Sequence, residues 1–454
     1  FLVHIAVGVR RDDEPEAGEL LRAALLAEAL RSQAESHREP DIRSEAEETL
    51  RNFLTPSTMR HVASHRAAVP AAFAEKVPLA AHQKAADDTL ARGRFGLVAM
   101  AVGTAILLGW TLLGGLDMLN ALVREAVQPR WGDMAYQLAL LGAVAAIGGL
   151  IEMPLDLWST FRIEQRFGFN RMTWKLYLLD MAKGVALGVA IGAPIAALVL
   201  WIMGAAGPWW WLWAWLAWTG FQLLMLVLYP TVIAPWFNKF QPLADESLAA
   251  RVKTLMARCG FTAKGLFVMD GSRRSAHSNA YFTGLGAAKR VVFYDTLLAR
   301  LSPGEVEAVL AHELGHFKLR HVPKRMLGIF AASLAALALL GWLAQQQWFF
   351  TGLGVTPNLA VPNDALALML LMFALPPLGF LLAPLASAWS RKHEFEADAY
   401  ACAQCSGRDL AQALVKLHED NAGTLTPDPL YVKFYYSHPP AAERLAALKM
   451  EPAR

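Results

Sequence analysis

GVALGVAIGAPIAALVLWIMGAAGPWWWLWAWLAWTGFQLLMLVLYPTVIAPWF, residues 184–237, holds no charged side chain. About 20 mostly apolar helical residues span the hydrocarbon of a bilayer, so this run is long enough for two crossings. They divide at GAAGP, residues 204–208, where glycine and proline favour a turn. Gly184, Gly188 and Gly192 recur at four-residue spacing, which predicts close helix packing within lipid. The tryptophans of WWWLWAW (209–215) belong at a membrane interface, where one end of the ring is wet.

Outward from that run, further apolar stretches extend over Phe95 to Leu116, Met134 to Ile151, Met326 to Phe350 and Ala365 to Ser390. With Gly184 to Met203 and Trp209 to Phe237 they predict about six spans. Composition agrees: 55% of residues are hydrophobic and only 18% charged, against roughly 25% charged in a soluble domain. The net charge of +3 is too small to suggest nucleic acid. Three cysteines, Cys259, Cys402 and Cys405, cannot build a disulfide framework, and a reducing compartment is the simpler assumption. Cys402 and Cys405 form a CxxC without a second pair, and read as small buried helix residues.

Lysine and arginine set the orientation. Arg92 and Arg94 precede the first span, and Arg162, Arg166, Arg171 and Lys175 follow the second. By parity the segment 238–324 and the tail opening with Arg391 and Lys392 lie on that same, cytoplasmic, side. The opposite side carries Arg124 and Arg130, with none in GAAGP or 351–363. The organisation expected is a charged segment 1–60, four spans with their loops in 61–237, and a cytoplasmic segment 238–324. A transmembrane hairpin (325–390) and a cytoplasmic tail (391–454) complete it. Within 1–60, LLRAALLAEAL (20–30) has an amphipathic period.

VLAHELGHFKLRHV, 309–322, carries the chemistry. His312 and His316, four apart, share one face of a helix and can hold one ion, while Glu313 is placed to reach water beside it. Ser302-Pro303-Gly304-Glu305 predicts the helix start as a capping box with proline at the first position. The helix is expected to run on through FKLRHVPKRM into the fifth span. Lys318, Arg320, Lys324 and Arg325 keep the motif at the membrane surface. A catalytic zinc takes three protein ligands, so one comes from elsewhere. Leu319 and Val322 stand where a metzincin has its glycine and last histidine. RKHEFEADAYA (391–401) supplies a carboxylate instead: Glu394, with Asp398 on the same face as support for a ligating histidine. Two spans separate His316 from Glu394, and an even number of crossings returns the chain to one side. Glu396 and His393 are rivals for the ligand position.

These motifs resemble the type I CAAX prenyl endopeptidases, integral-membrane zinc metalloproteases. The likeness extends through RHVASHRAAVP, HQKAADDT, FRIEQRFGFNRMT (161–173), YPTVIAPWFNKFQPL (229–243), SRRSAHSNAYFTGL (272–285), HEFEADAYA (393–401) and YSHPPAAERLAAL (436–448). It implies a ring of spans around a water-filled chamber, with one zinc near a cytoplasmic domain. It also implies His312, His316 and Glu394 as ligands, Glu313 as base, His438 as oxyanion stabiliser and Arg444 as support. Asn279, with Ala280 and Tyr281 on the adjoining strand, would align substrate. The family usually has one more N-terminal span, where this chain has its charged segment.

Elsewhere the residues read more plainly. Pro439 and Pro440 fix the placement of His438 before the ERLAAL helix. HSNAYFTG (277–284) and KRVVFYD (289–295) read as two strands with a glycine-containing loop, and an edge strand there can take up an extended peptide. His61 and His65 lack an adjacent acid and read as structural. Glu152, Asp156, Asp180 and Lys183 sit at span ends, with Asp180 and Lys183 spaced to pair.

The fold class expected is therefore an α-helical integral membrane protein, a bundle or ring of six to seven transmembrane helices with a small cytoplasmic α+β zinc-peptidase domain. The function expected is a multi-pass membrane endopeptidase whose active site faces the cytoplasm. It would act on peptide or protein substrates, lipid-modified ones among the candidates. A heat-shock-type quality-control protease, or a transporter or scaffold without turnover, are the rivals. The bilayer is its other partner.

Overall fold

The computed structural model describes residues 55–283, 288–357 and 363–448; the amphipathic stretch 20–30 and the loop 284–287 lie outside them. A helix at 55–65, α1, precedes four span-length helices: α2 (Leu79–Trp110), α3 (Gly115–Phe167), α4 (Trp174–Ala205) and α5 (Gly207–Phe237). An α+β insertion follows: β1 (Phe240–Pro242), α6 (Glu246–Arg258), β2 (Thr262–Met269), β3 (Ala280–Thr283), β4 (Ala288–Tyr294), α7 (Asp295–Arg300) and α8 (Pro303–Lys318). The last two spans are α9 (His321–Leu343) and α11 (Asp364–Gln404), with short α10 (Gln347–Thr351) between them. Three helices complete the α+β domain: α12 (Gly407–Asp420), α13 (Pro429–Tyr435) and α14 (Ala441–Ala447).

Six membrane-length helices therefore stand among the described residues, in the number expected. Their packing closes on itself: α3 on α4, α4 on α5, α5 on α9, α9 on α11, and α11 back on α3 and α4, with α2 outside on α3. Side chains such as Leu150, Val185, Val189 and Trp213 are exposed along the spans, as a lipid-facing surface requires. One core, with Leu116, Tyr136, Leu200, Trp210, Phe350 and Leu366, ties the span ends around α10. A separate core fills the α+β domain, where Val252, Leu255, Val291, Phe293 and Leu310 are fully buried.

Several local expectations need correction. The helix that carries HELGH stops at Lys318, and Arg320 at φ 59° starts α9 as a new helix. Pro323 accounts for the break: on a continued helix it would have no amide to donate to the Leu319 carbonyl and its ring would clash with it, whereas in the first turn of α9 it is tolerated. Gly184, Gly188 and Gly192 do not seat a neighbouring helix: a Cβ on any of them meets nothing within 4 Å, and the last two bound a π-helical turn, Gly188–Gly192. Asp180 does not pair with Lys183. It takes Arg274 in two hydrogen bonds of 2.8 and 3.1 Å, while the Lys183 ammonium caps the Trp236 carbonyl at 2.8 Å. Arg274 also binds Asn238 and the Phe237 carbonyl, riveting two spans to the α+β domain. The sixth span and the HEFEADAYA segment are one uninterrupted helix, α11.

The capping box is present as expected: Ser302 accepts the Glu305 amide, and Glu305 accepts the Ser302 amide. Lys416 binds the same carboxylate at 2.8 Å, so α8 is fixed at its start by charge as well as by capping. The sheet runs β1-β2-β4-β3. The anticipated hairpin β3–β4 is antiparallel and β4 pairs in parallel with β2, which leaves β3 at an edge.

Candidate active site

Helix α8 lies against α11, and Gly315 sets how closely. A Cβ there would stand 3.2 Å from the Ala397 Cα and 3.2 Å from two Tyr400 atoms, so only glycine lets the two backbones approach without adjustment. That contact brings His312 and His316 of α8 opposite Glu394 of α11. His312 Nε2 is 3.3 Å from His316 Nε2 and 3.4 Å from Glu394 Oε2, and His316 Nε2 is 3.4 Å from Glu394 Oε1.

Two observations make this a candidate metal centre. Glu394 Oε2 is buried without a hydrogen-bond partner, which is costly for a carboxylate unless a positive charge faces it. Tetrahedral bonds of about 2.0–2.1 Å place their donor atoms roughly 3.3–3.4 Å apart, the spacings seen here. The donor set therefore fits one divalent metal.

Behind the three donors, His312 Nδ1 lies 2.8 Å from Asp398, and Arg444 grips both Asp398 oxygens at 2.8 and 2.6 Å. Asp398 fixes the His312 ring so that Nε2 faces the site. Arg444 also stands 3.7 Å from Glu394. Burial alone lowers the pKa of the His312 imidazole, but the hydrogen bond to Asp398 and the nearby Glu394 carboxylate outweigh it and raise the pKa of the metal-free ring to about 9.

The residues open on a cavity of about 580 Å³ lined by Glu313, Tyr281, Phe282, Trp389 and His438 among others. Glu313 is half-buried. His438 enters from the segment before α14, its Nε2 3.4 Å from Glu394 Oε1 and its Nδ1 3.0 Å from Ser437 Oγ. Desolvation pushes its pKa below the ordinary histidine value, so the ring is neutral at pH 7.

The three expected alignment residues are placed differently. Tyr281 lines the cavity, Ala280 is buried in the domain core and Asn279 is exposed at the strand's start, outside the cavity lining. The Tyr294 amide bonds the Asn279 carbonyl, and antiparallel alternation then turns the Ala280 and Phe282 backbone groups to the open edge. Asn279 Oδ1 takes the Ala280 amide at 2.8 Å.

Beside this site lies a group that motif reading did not assemble: His321, His393 and Glu396 also gather ligand atoms within 4.8 Å of one another. His321 follows His316 by five residues, a spacing with no meaning on an unbroken helix. His61 and His65 are hydrogen-bonded locally, His65 Nδ1 to the His61 carbonyl at 2.8 Å. The three cysteines are free, with Cys402 and Cys405 only half-buried rather than fully so.

Two histidines and a glutamate brought together by a pair of helices at the ends of two spans point to the class, an integral-membrane metallopeptidase. Comparison with known proteins agrees. Residues 58–239 match the family described as CAAX prenyl protease N-terminal, five membrane helices, and residues 242–451 match peptidase family M48. The CAAX prenyl protease 1 homolog of Arabidopsis thaliana is 37% identical over 332 residues, 72% of this chain and 77% of that protein. CAAX prenyl protease 1 of Saccharomyces cerevisiae is 37% identical over 328 residues, 69% of this chain and 72% of that one. The crystal structure of S. mikatae Ste24p superposes with a TM-score of 0.82 at 30% identity, covering 90% of this chain and 97% of the other. The chain belongs to the M48 family, with the membrane domain of the CAAX prenyl proteases.

Proposed function

We propose that the protein is a zinc endopeptidase of the CAAX prenyl protease type, with His312, His316 and Glu394 as ligands and Glu313 as general base. The observation that carries this reading is the trio of donor atoms 3.3–3.4 Å apart around an unpartnered carboxylate oxygen. Two imidazoles and a carboxylate suit zinc, and bound zinc supplies Lewis acidity that polarises a peptide carbonyl and lowers the pKa of water toward ~7.

The chain's own groups do the rest. Glu313, next to His312 and facing the cavity, takes the proton of the attacking water and passes it to the leaving amine. Ser437 holds His438 Nδ1, leaving an Nε2–H to donate to the developing oxyanion, a contribution of about 3–4 kcal/mol for such donors. Arg444 and Asp398 keep His312 turned inward. The edge of β3 at the Ala280 carbonyl and at Phe282, with the Ala280 amide held by Asn279 Oδ1, receives the extended substrate by main-chain pairing, with Asn279 and Tyr281 at its flank.

The relatives' name suggests a lipid-modified C-terminal substrate, and the apolar wall of the cavity at Ile329, Ala332 and Trp389 accords with an apolar partner. The basic loop after α3 supports a cytoplasmic active site, because its Arg171 amide bonds the Arg274 carbonyl of the peptidase domain. The domain limits 61–237, 238–324, 325–390 and 391–454 follow from the same topology, and no step calls for nucleic acid.

The test uses the full chain in detergent with paired peptides, farnesylated and plain at one cysteine, followed by mass spectrometry. Parent protein should cleave after the modified cysteine and Glu313→Gln should lose at least a thousandfold in rate. Parental cleavage by Glu313→Gln sinks the mechanism; equal rates on both peptides sink the lipid preference alone.

A further inference from the structure

His312 has Asp398 to orient it, and His316 has no carboxylate of its own. Its Nδ1 lies instead 3.0 Å from His321 Nδ1, and His321 Nε2 lies 2.9 Å from Glu396 Oε2. We propose that His321 and Glu396 form a hydrogen-bond relay that fixes His316 as a metal ligand. The inference rests on the reading above that His316 binds the metal through Nε2.

Only one arrangement of protons satisfies the chain of contacts. A ligating Nε2 carries no proton, so His316 is protonated at Nδ1 and donates to His321 Nδ1. His321 must then carry its proton at Nε2, which donates to the Glu396 carboxylate. Each ligand imidazole thereby ends on a carboxylate, His312 directly and His316 through a second ring.

The helix break makes the relay possible. On a continuous helix, residues five apart point about 140° away from each other. The left-handed Arg320 turns the chain so that His321 comes back under His316. His321 is buried, and the His393 ring stacks on it at 3.9 Å between centroids and 9° between planes, with Trp389 against His393 in turn. The stack holds the His321 plane, and Glu396 sets its rotation.

The same three side chains invite a rival reading as a second metal site. Parallel stacked imidazoles direct their in-plane lone pairs alongside one another, not toward one point. Both His321 nitrogens are also already engaged. The relay accounts for the arrangement without an additional ion.

The test compares zinc release from the full chain in detergent into excess chromogenic chelator, with zinc stoichiometry measured beforehand. His321→Phe keeps the ring and its stack on His393 but cannot relay a proton. His321→Gln loses the stack but can accept from His316 and donate to Glu396. The relay predicts zinc release about 10- to 100-fold faster for His321→Phe, and near-parental release for His321→Gln. Glu396→Leu, at a half-exposed position, should also release faster. The reverse order of Phe and Gln, or parental release by both His321→Phe and Glu396→Leu, overturns the relay. Two zinc ions per parent chain, one lost in Glu396→Leu, overturn it in favour of a second site. A parent without zinc overturns the metal reading itself, and the relay with it.

Discussion

Gly315→Ala tests whether helix spacing is what assembles the centre. The added methyl would stand 3.2 Å from the Ala397 Cα and from Tyr400 Cβ and Cδ1, so its neighbours must yield by a few tenths of an ångström. Tyr400 Cδ1 can swing, but the Ala397 Cα moves only with α11. Overpacking of this kind costs about 1–3 kcal/mol, and replacing a helical glycine by alanine returns about 1 kcal/mol. The net loss of stability is therefore small, about 0–2 kcal/mol. Metal geometry is less tolerant: ligand distances hold within about 0.2 Å, and Glu394 rides on the same α11 backbone, three residues before Ala397. The expected result is a melting temperature only slightly below the parent, with zinc affinity at least tenfold weaker. Competition against a calibrated chelator in detergent measures the affinity, and a thermal melt of the zinc-free protein measures the fold. Gly184→Ala, inside a helix and with nothing within 4 Å of an added Cβ, is the control: zinc affinity should be unchanged and the melting temperature should hold or rise slightly. Parental zinc affinity in Gly315→Ala would refute the reasoning.

The other expectations follow from the charges. His312 in the metal-free site keeps its proton up to about pH 9, and zinc must displace it, so apparent affinity should fall about tenfold per unit between pH 8 and 6; a flat profile would show that His312 is not a ligand. The same raised pKa makes metal-free protein relatively more stable below pH 6.5, with that increment lost as pH rises through 9, which a melting series without zinc reads directly. Arg444→Met leaves the Asp398 carboxylate buried without its main partner, at about 3–5 kcal/mol, and should lower both the melting temperature and zinc affinity; loss of neither would contradict the assigned support. Arg274→Met removes the bidentate Asp180 pair and two further hydrogen bonds. At this partly exposed site the cost is about 2–3 kcal/mol, visible as faster proteolysis between α5 and β2, and unchanged digestion would argue that the rivet is dispensable.

What the sequence disclosed divides along the range of the forces involved. The spans were legible because hydrophobic length is a local property, and even the start of the second span near Met134 is physical: Gly132 breaks α3 at φ 80°. The pairing of His312 with His316 on one helix face and the capping box were legible because helical spacing and end chemistry act within a turn. Counting crossings brought the 391–401 segment to the side of His316, a topological argument that needs no contact map, but it did not choose Glu394 over Glu396 or His393. The remainder depended on partners far along the chain. Asp180 chose Arg274, 94 residues away, over nearby Lys183, because a planar guanidinium matches a carboxylate in two bonds. Pro323 was a local signal that the HELGH helix must break, but nothing local showed that the turn would pass through a left-handed Arg320 and return His321 to His316. Without that break, the positions of His321 and Glu396 in the sequence could not be joined.

Zinc K-edge X-ray absorption on the purified full chain addresses the central claim most directly. The account predicts one zinc per chain, with two imidazole nitrogens and carboxylate or water oxygen in a shell at about 2.0–2.1 Å, and loss of one imidazole contribution in His316→Ala. A spectrum dominated by sulfur near ~2.3 Å, or one unchanged by His316→Ala, would contradict it.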